Sequence, residues 1–156
     1  MSEFCGCPGS RMLEFQQEDT PEGGAEVRIA SQLRQWPIQL HLVSPEAPYF
    51  QGADVLLAAD CAAFAMGNFH NEHLKGKGLA IACPKLDGGQ EAYVAKIKAL
   101  FEKARINTLT VLIMQVPCCH GLVALATEAL RGSSRKVPVR CMVASLKGEV
   151  LQEDWL

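Results

Sequence analysis

Aromatic residues are scarce in this chain, at 6% of the total, which argues against the stacking platforms used to read single-stranded nucleic acid or carbohydrate. A surplus of one charge is missing too. The 15 Lys and Arg against 17 Asp and Glu leave a net charge of -2, without the broad positive field that nonspecific nucleic-acid or anionic-membrane binding uses. No apolar run approaches the roughly 20 residues that span a bilayer. The opening MSEFCGCPGSRMLEF has no basic stretch followed by an apolar core, so it does not read as a secretory signal. Neither nucleic acid nor a membrane is expected as a partner. The signatures GxGxxG, GxSxG, HExxH and GxxxxGK[ST] do not occur, and Lys75-Gly76-Lys77-Gly78 reads as an exposed turn.

What is present in unusual number is cysteine. Seven cysteines without a signal sequence point to a reducing, cytoplasmic setting, where thiols are buried, metal-bound or reactive rather than paired in a disulfide framework. The 156 residues, 49% hydrophobic and 21% charged, suffice for one well-filled core without staples.

Residues 1–30 contain the acidic, glycine-rich QQEDTPEGGAE and read as a flexible, cysteine-containing segment and linker; residues 31–156 read as one folded domain. In that domain, apolar runs alternate with amphipathic patterns. Strands are expected at Ile38–Val43, with Ile38, Leu40 and Leu42 on one face, at Ala53–Ala59, at Gly78–Ala82, at Thr108–Val116 and at Val139–Ser145, with a short final strand after Lys147-Gly148. Tyr93, Val94, Ile97, Leu100 and Phe101 recur at helical spacing, and a second helix is expected after Cys119, to about Arg131. The alternation implies an α/β, Rossmann-like three-layer domain with a mainly parallel sheet of about five strands and right-handed crossovers.

Three of these strands run directly into cysteine: Ala59 into Asp60-Cys61, Ala82 into Cys83-Pro84, and Val116 into Pro117-Cys118-Cys119. Ligands of open α/β sheets gather beyond the carboxyl ends of the strands, so these thiols are expected to converge on one small site. Soft sulfur donors select Zn, Cu(I) or iron-sulfur centres. Taken singly, each cysteine reads equally well as a small buried hydrophobe. Cys118 and Cys119 precede a helix whose dipole favours a thiolate, and Cys119 is the preferred inward ligand. His70 could enter the site, whereas His73 reads as solvated. His120 could be a ligand, a base or a solvent-facing side chain; His41 and Cys141 read as structural. Cys5-Gly6-Cys7 could supply a ligand from outside the sheet, or remain unattached.

Taken in order, GCPGSRM, SQLRQWPIQLHLV, ADVLLAADCAAFAMGNFH, LKGKGLAIACPKLD and VPCCHGL resemble the carboxy-terminal region of a group of anaerobe-type ferredoxin-like iron-sulfur proteins, over nearly the full chain. In such relatives a ferredoxin module with runs of cluster-binding cysteines comes first; the CxxCxxCxxxC run of cubane clusters does not occur in these residues. The resemblance implies membership of an iron-sulfur redox system and carries onto Cys7, Cys61, His70, Cys83, Cys118 and Cys119, while Cys5 and His120 depart from the pattern. The expectation is therefore a redox, electron-transfer domain. It would hold an iron-sulfur cluster or a transition metal (Fe, Zn) on Cys61, Cys83 and Cys119, completed by Cys118, His70 or Cys7, and exchange electrons with a ferredoxin-type module or redox protein. Homo-oligomerisation stays open. The alternative is a thiol oxidoreductase or transferase with Cys119 or Cys118 as nucleophile; a third reading is a sheet domain that only docks the ferredoxin module.

Overall fold

A computed structural model describes residues 13–16 and 28–156. Cys5 and Cys7, and most of the expected linker, lie outside the described residues.

The strands are β1 (Asp54–Ala59), β2 (Gly78–Ala82), β3 (Thr108–Met114), β4 (Val139–Ala144) and β5 (Val150–Trp155). They form one sheet in the order β2-β1-β3-β4-β5, parallel except for β5, which pairs antiparallel with β4. The helices are α1 (Ala62–Ala65), α2 (Gln90–Glu102) and α3 (His120–Gly132), with a π-type turn at His70–Leu74. The expected α/β architecture is present. The interior strands β1 and β3 are almost continuously apolar (DVLLAA, TLTVLIM) because both of their faces are covered, and every residue after the first in each is buried. From β1 the chain steps outward to β2, then crosses back over β1 to β3. With right-handed crossovers these opposite steps put α1 and α2 on opposite faces. Tyr93, Ile97, Leu100 and Phe101 of α2 and Leu122, Leu125, Ala126 and Ala129 of α3 are the buried helical stripes.

The segment Ile38–Val43 is not the expected strand. It makes a single parallel bridge, Gln39 to Ile81, in which Leu40 N–H donates to Ile81 O (2.9 Å) and Ile81 N–H to Ile38 O (2.8 Å). It then coils, with the Gln39 carbonyl accepting from both Leu42 and Val43. The turn buries Leu40 and Val43, three apart, and leaves Leu42 69% exposed, so the alternating face predicted from the sequence does not form. The Lys96 ammonium fastens this coil to α2 by donating to the carbonyls of Leu40, His41 and Val43. His41 accordingly lies in a turn, its Nε2 2.7 Å from Gly88 O and its ring against Tyr93.

Two further expectations change. His73 is buried rather than solvated: the π-type turn points it inward, its Nε2 makes no hydrogen bond and lies 3.7 Å from Glu72 Oε2, and burial lowers its pKa despite that carboxylate. Cys141 is only half-buried because β5, its neighbour, is exposed along its whole length.

Candidate functional site

The chain leaves β1 toward one side of the sheet and returns to β3 on the other, so a crevice opens between them at their carboxyl ends. A pocket of about 340 Å³ occupies that position. Cys61, Cys83, Cys118 and Cys119 all line it, with Asp60, Phe64, Pro84, Met114 and Leu146 among the remaining walls. Four of the six predicted ligands are thus brought to one pocket from the exits of three neighbouring strands.

Local backbone explains the gathering. Asp60 N–H continues the β1–β2 ladder by donating to Ala82 O (3.1 Å), which holds Cys61 beside Cys83 before α1 begins. The Cys83–Asp87 loop closes on itself. Asp87 N–H donates to Cys83 O (2.9 Å), while the Asp87 carboxylate accepts from Cys83 N–H (2.9 Å) and from the Tyr93 hydroxyl. Burial first, and then the hydrogen bond and charge of Asp87, push the Tyr93 pKa up. Gly121 lets the first turn of α3 approach this loop, since a Cβ there would stand 3.0 Å from Pro84 Cβ. Gly148, at φ +88, lets the β4–β5 turn press on the end of α1: a Cβ would lie 2.4 Å from Ala65 O. Gln115 accepts from Leu146 N–H (2.8 Å) and fixes Leu146 at the pocket wall.

The thiols differ in access. Cys61 is exposed, Cys83 and Cys118 are half-buried, and Cys119 is 7% exposed. Burial raises the Cys61 pKa, with Cys83, Asp60 and Cys118 adding repulsion. Burial pushes Cys119 up to about 11, and the Met114 backbone hydrogen bond offsets only part of this. Cys119 is the residue that caps α3, where the helix dipole was expected to favour its thiolate; desolvation is the larger effect. Both of these shifts run against thiolate formation, so Cys61 and Cys119 are not activated as nucleophiles by their surroundings. Among the described residues, no three His, Cys, Asp or Glu side chains stand close enough to hold one metal ion.

His70 belongs to a neighbouring cavity of about 240 Å³ that shares Ala59, Asp60 and Phe64 with the thiol pocket. Its Nδ1 accepts from Gln32 N–H (3.0 Å), so the neutral ring carries its hydrogen on Nε2. A metal-bound histidine ordinarily donates from its second nitrogen; this ring is arranged the opposite way. His120 is exposed on α3 and does not line the thiol pocket. The strand-exit pattern that singles out Cys61 passes over Asp60, although the same position places it here. Its Oδ1 is buried without a hydrogen bond; burial and then Asp87 raise the pKa of the carboxyl, and a side-chain hydrogen bond from Gln39 opposes them.

A doubly wound sheet with a polar-poor pocket at its switch point defines the class: a Rossmann-like α/β domain. The model of the family described as "Rossmann-like domain" matches residues 47–156, and the chain belongs to that family. It is also 27% identical over 119 residues to an uncharacterized protein of Archaeoglobus fulgidus, covering 76% of this chain and 83% of that one. No solved structure matches. Among the described residues, no helix is long and apolar enough to cross a membrane.

Proposed function

We propose that the domain is a redox, electron-transfer module of the ferredoxin-like iron-sulfur type, holding its centre on thiolates at the carboxyl edge of the sheet. The observation that carries this reading is the convergence of Cys61, Cys83, Cys118 and Cys119 on one pocket. Neighbouring thiols and Asp60 disfavour one another's charge at Cys61, and a cationic metal centre relieves that repulsion while replacing the solvation lost by burial.

The donor chemistry fits soft metals. A lone Zn would need every sulfur about 2.3 Å from one ion, and no such group is found among the described residues, whereas the thiolates of a cluster would each bind their own iron. Such a cluster would supply a one-electron couple. Cys61, Cys83, Cys118 and Cys119 are the residues that would hold it, with Cys7, outside the described residues, as a further ligand. Met114 and Leu146 give the pocket apolar walls, which would tune the potential. Phe64 and Leu86, 94% and 83% exposed, flank this region and suit the docking of a ferredoxin-type redox partner.

Anaerobic purification followed by iron and acid-labile sulfide analysis tests the reading. Equal iron and sulfide are expected, falling to less than about a tenth in Cys61→Ser with Cys83→Ser. Wild-type protein containing neither iron nor sulfide after anaerobic reconstitution, or full retention in the double variant, overturns it.

A further inference from the structure

A separate cavity of about 310 Å³ opens near the amino end of the sheet and shares no residue with the thiol pocket. The two faces of the sheet are covered unequally there. The thirteen-residue helices α2 and α3 pack on one another across one face, whereas the β1–β2 crossover offers the other only the four-residue α1 and the π-type turn. Thr110 pairs with Arg140 and Arg140 with Trp155, so these three stand side by side on one face of β3, β4 and β5. Thr108, two residues before Thr110, shares that face and pairs with Asp54. Lys77 precedes Gly78, the partner of Val55, and so stands level with Asp54. All six residues line the cavity.

Two cations thus face one carboxylate, and that carboxylate is engaged: Asp54 Oδ1 accepts from Asn107 and Thr108. Lys77 Nζ donates to His73 O (3.0 Å), and Arg140 Nη1 to Glu153 Oε1 (2.6 Å). An ammonium carries three N–H groups and a guanidinium five, so both side chains have donors in hand. Burial and then the Arg140 charge lower the Lys77 pKa, and Asp54 opposes them with less effect. At Lys77 the neighbouring cation outweighs the neighbouring carboxylate, and an anion seated between the two cations relieves their repulsion.

The volume equals that of about ten liquid waters and lies at the lower limit of small-molecule pockets, which suits one ring and one charged substituent. A dianionic phosphate would exceed the single net positive charge of the lining and bring no ring to Trp155. A cation would meet Lys77 and Arg140.

We propose that this cavity binds a small aromatic carboxylate, its carboxylate accepting hydrogen bonds from Lys77 and Arg140 and its ring lying against Trp155. Guanidinium and carboxylate match in planar geometry, and paired aromatic rings add to the area they bury. The inference concerns binding alone, uses none of the cysteines and holds whether or not they carry a metal centre.

The test titrates the full chain at constant ionic strength with benzoate, uncharged benzamide and inorganic phosphate, followed by NMR of the two tryptophan indole N–H groups and the methyls of Leu109 and Thr110. Trp36 lies outside the cavity and serves as the control. Benzoate is expected to shift Trp155 and leave Trp36 unmoved, and to bind at least about tenfold more tightly than benzamide or phosphate, about 1.4 kcal/mol. Lys77→Met, which keeps the apolar stem, is expected to weaken benzoate about tenfold without changing benzamide, and Lys77→Arg to retain the preference for benzoate. Equal affinity for benzoate and benzamide, tighter binding of phosphate, shifts at Trp36 in place of Trp155, or no binding up to the solubility limit would each overturn the proposal. The comparison of probes on the wild-type chain decides the matter even if either variant fails to fold.

Discussion

Asp54 and Asp60 sit at opposite ends of the same strand and live in opposite surroundings. Asp54 opens β1, and its Oδ1 accepts from Thr108 Oγ1 (2.7 Å) and Asn107 Nδ2 (2.9 Å) at the start of β3. Those hydrogen bonds, Thr108 first, hold its carboxyl below the usual range. Asp60 leaves β1 between two cavities, with Oδ1 shielded and unpartnered and its pKa raised by burial. At the amino end, Asp54 has spent Oδ1 on its neighbours. The carboxyl end has gathered thiols around a pocket and left Asp60 Oδ1 without a hydrogen bond.

Three substitutions sharpen this contrast, in falling order of effect. Asp87 belongs to the carboxyl end but is fully engaged, tying Cys83 N–H to the Tyr93 hydroxyl. Asp87→Ala is expected to loosen the Cys83 loop and, with the proposed iron centre reconstituted, to weaken its retention about tenfold against a chelator, as changes to groups that orient ligands commonly do; release at the wild-type rate would remove Asp87 from that role.

Asp54→Asn should lower stability by about 1 kcal/mol at neutral pH, a modest value because the site is partly screened by solvent. Iron content should be unchanged. Because the folded pKa of Asp54 is depressed, its contribution is complete above the unfolded value, about 3.9, and is lost as pH falls through the folded value. Urea midpoints of wild type and Asp54→Asn should therefore differ by a constant amount above about pH 5 and converge on further acidification. A gap that widens toward acid would reverse the assigned sign.

Asp60→Asn is expected to change stability least, within about 0.5 kcal/mol or slightly upward, since no donor to Oδ1 is lost. A loss as large as that of Asp54→Asn would show that the Asp60 carboxyl is as firmly held as that of Asp54 and erase the contrast.

The sequence made the sheet legible where burial on both faces leaves a continuous apolar run, as in DVLLAA and TLTVLIM. It also made the thiol convergence legible, because cysteine follows three strands whose ends the topology places side by side. What it hid depends on contacts distant in the chain. Ile38–Val43 has a strand's alternation, yet Lys96 draws three of its carbonyls into a coil from more than fifty residues away. His73, between a glutamate and a leucine, gives no sign that a π-type turn will aim it inward. His70 carries a ligand's side chain, but Gln32 occupies the nitrogen whose hydrogen would orient it toward a metal. Asp60 is the converse case, an ordinary aspartate whose interest arises only from what fails to reach it.

The two margins of the sheet also differ in whether they are finished. At β2, Gln35 stands in for a peptide group: its side-chain amide donates to Leu79 O and accepts from Leu79 N–H (3.1 Å), and Ile38 and Leu40 bond to Ile81 just beyond. At β5, every residue is exposed. Among the described residues, β5 is thus the margin to which a visiting strand could be added. Because β3 and β4 separate that margin from β1, such an annexed strand would leave the entrance to the cysteine-lined hollow open to traffic.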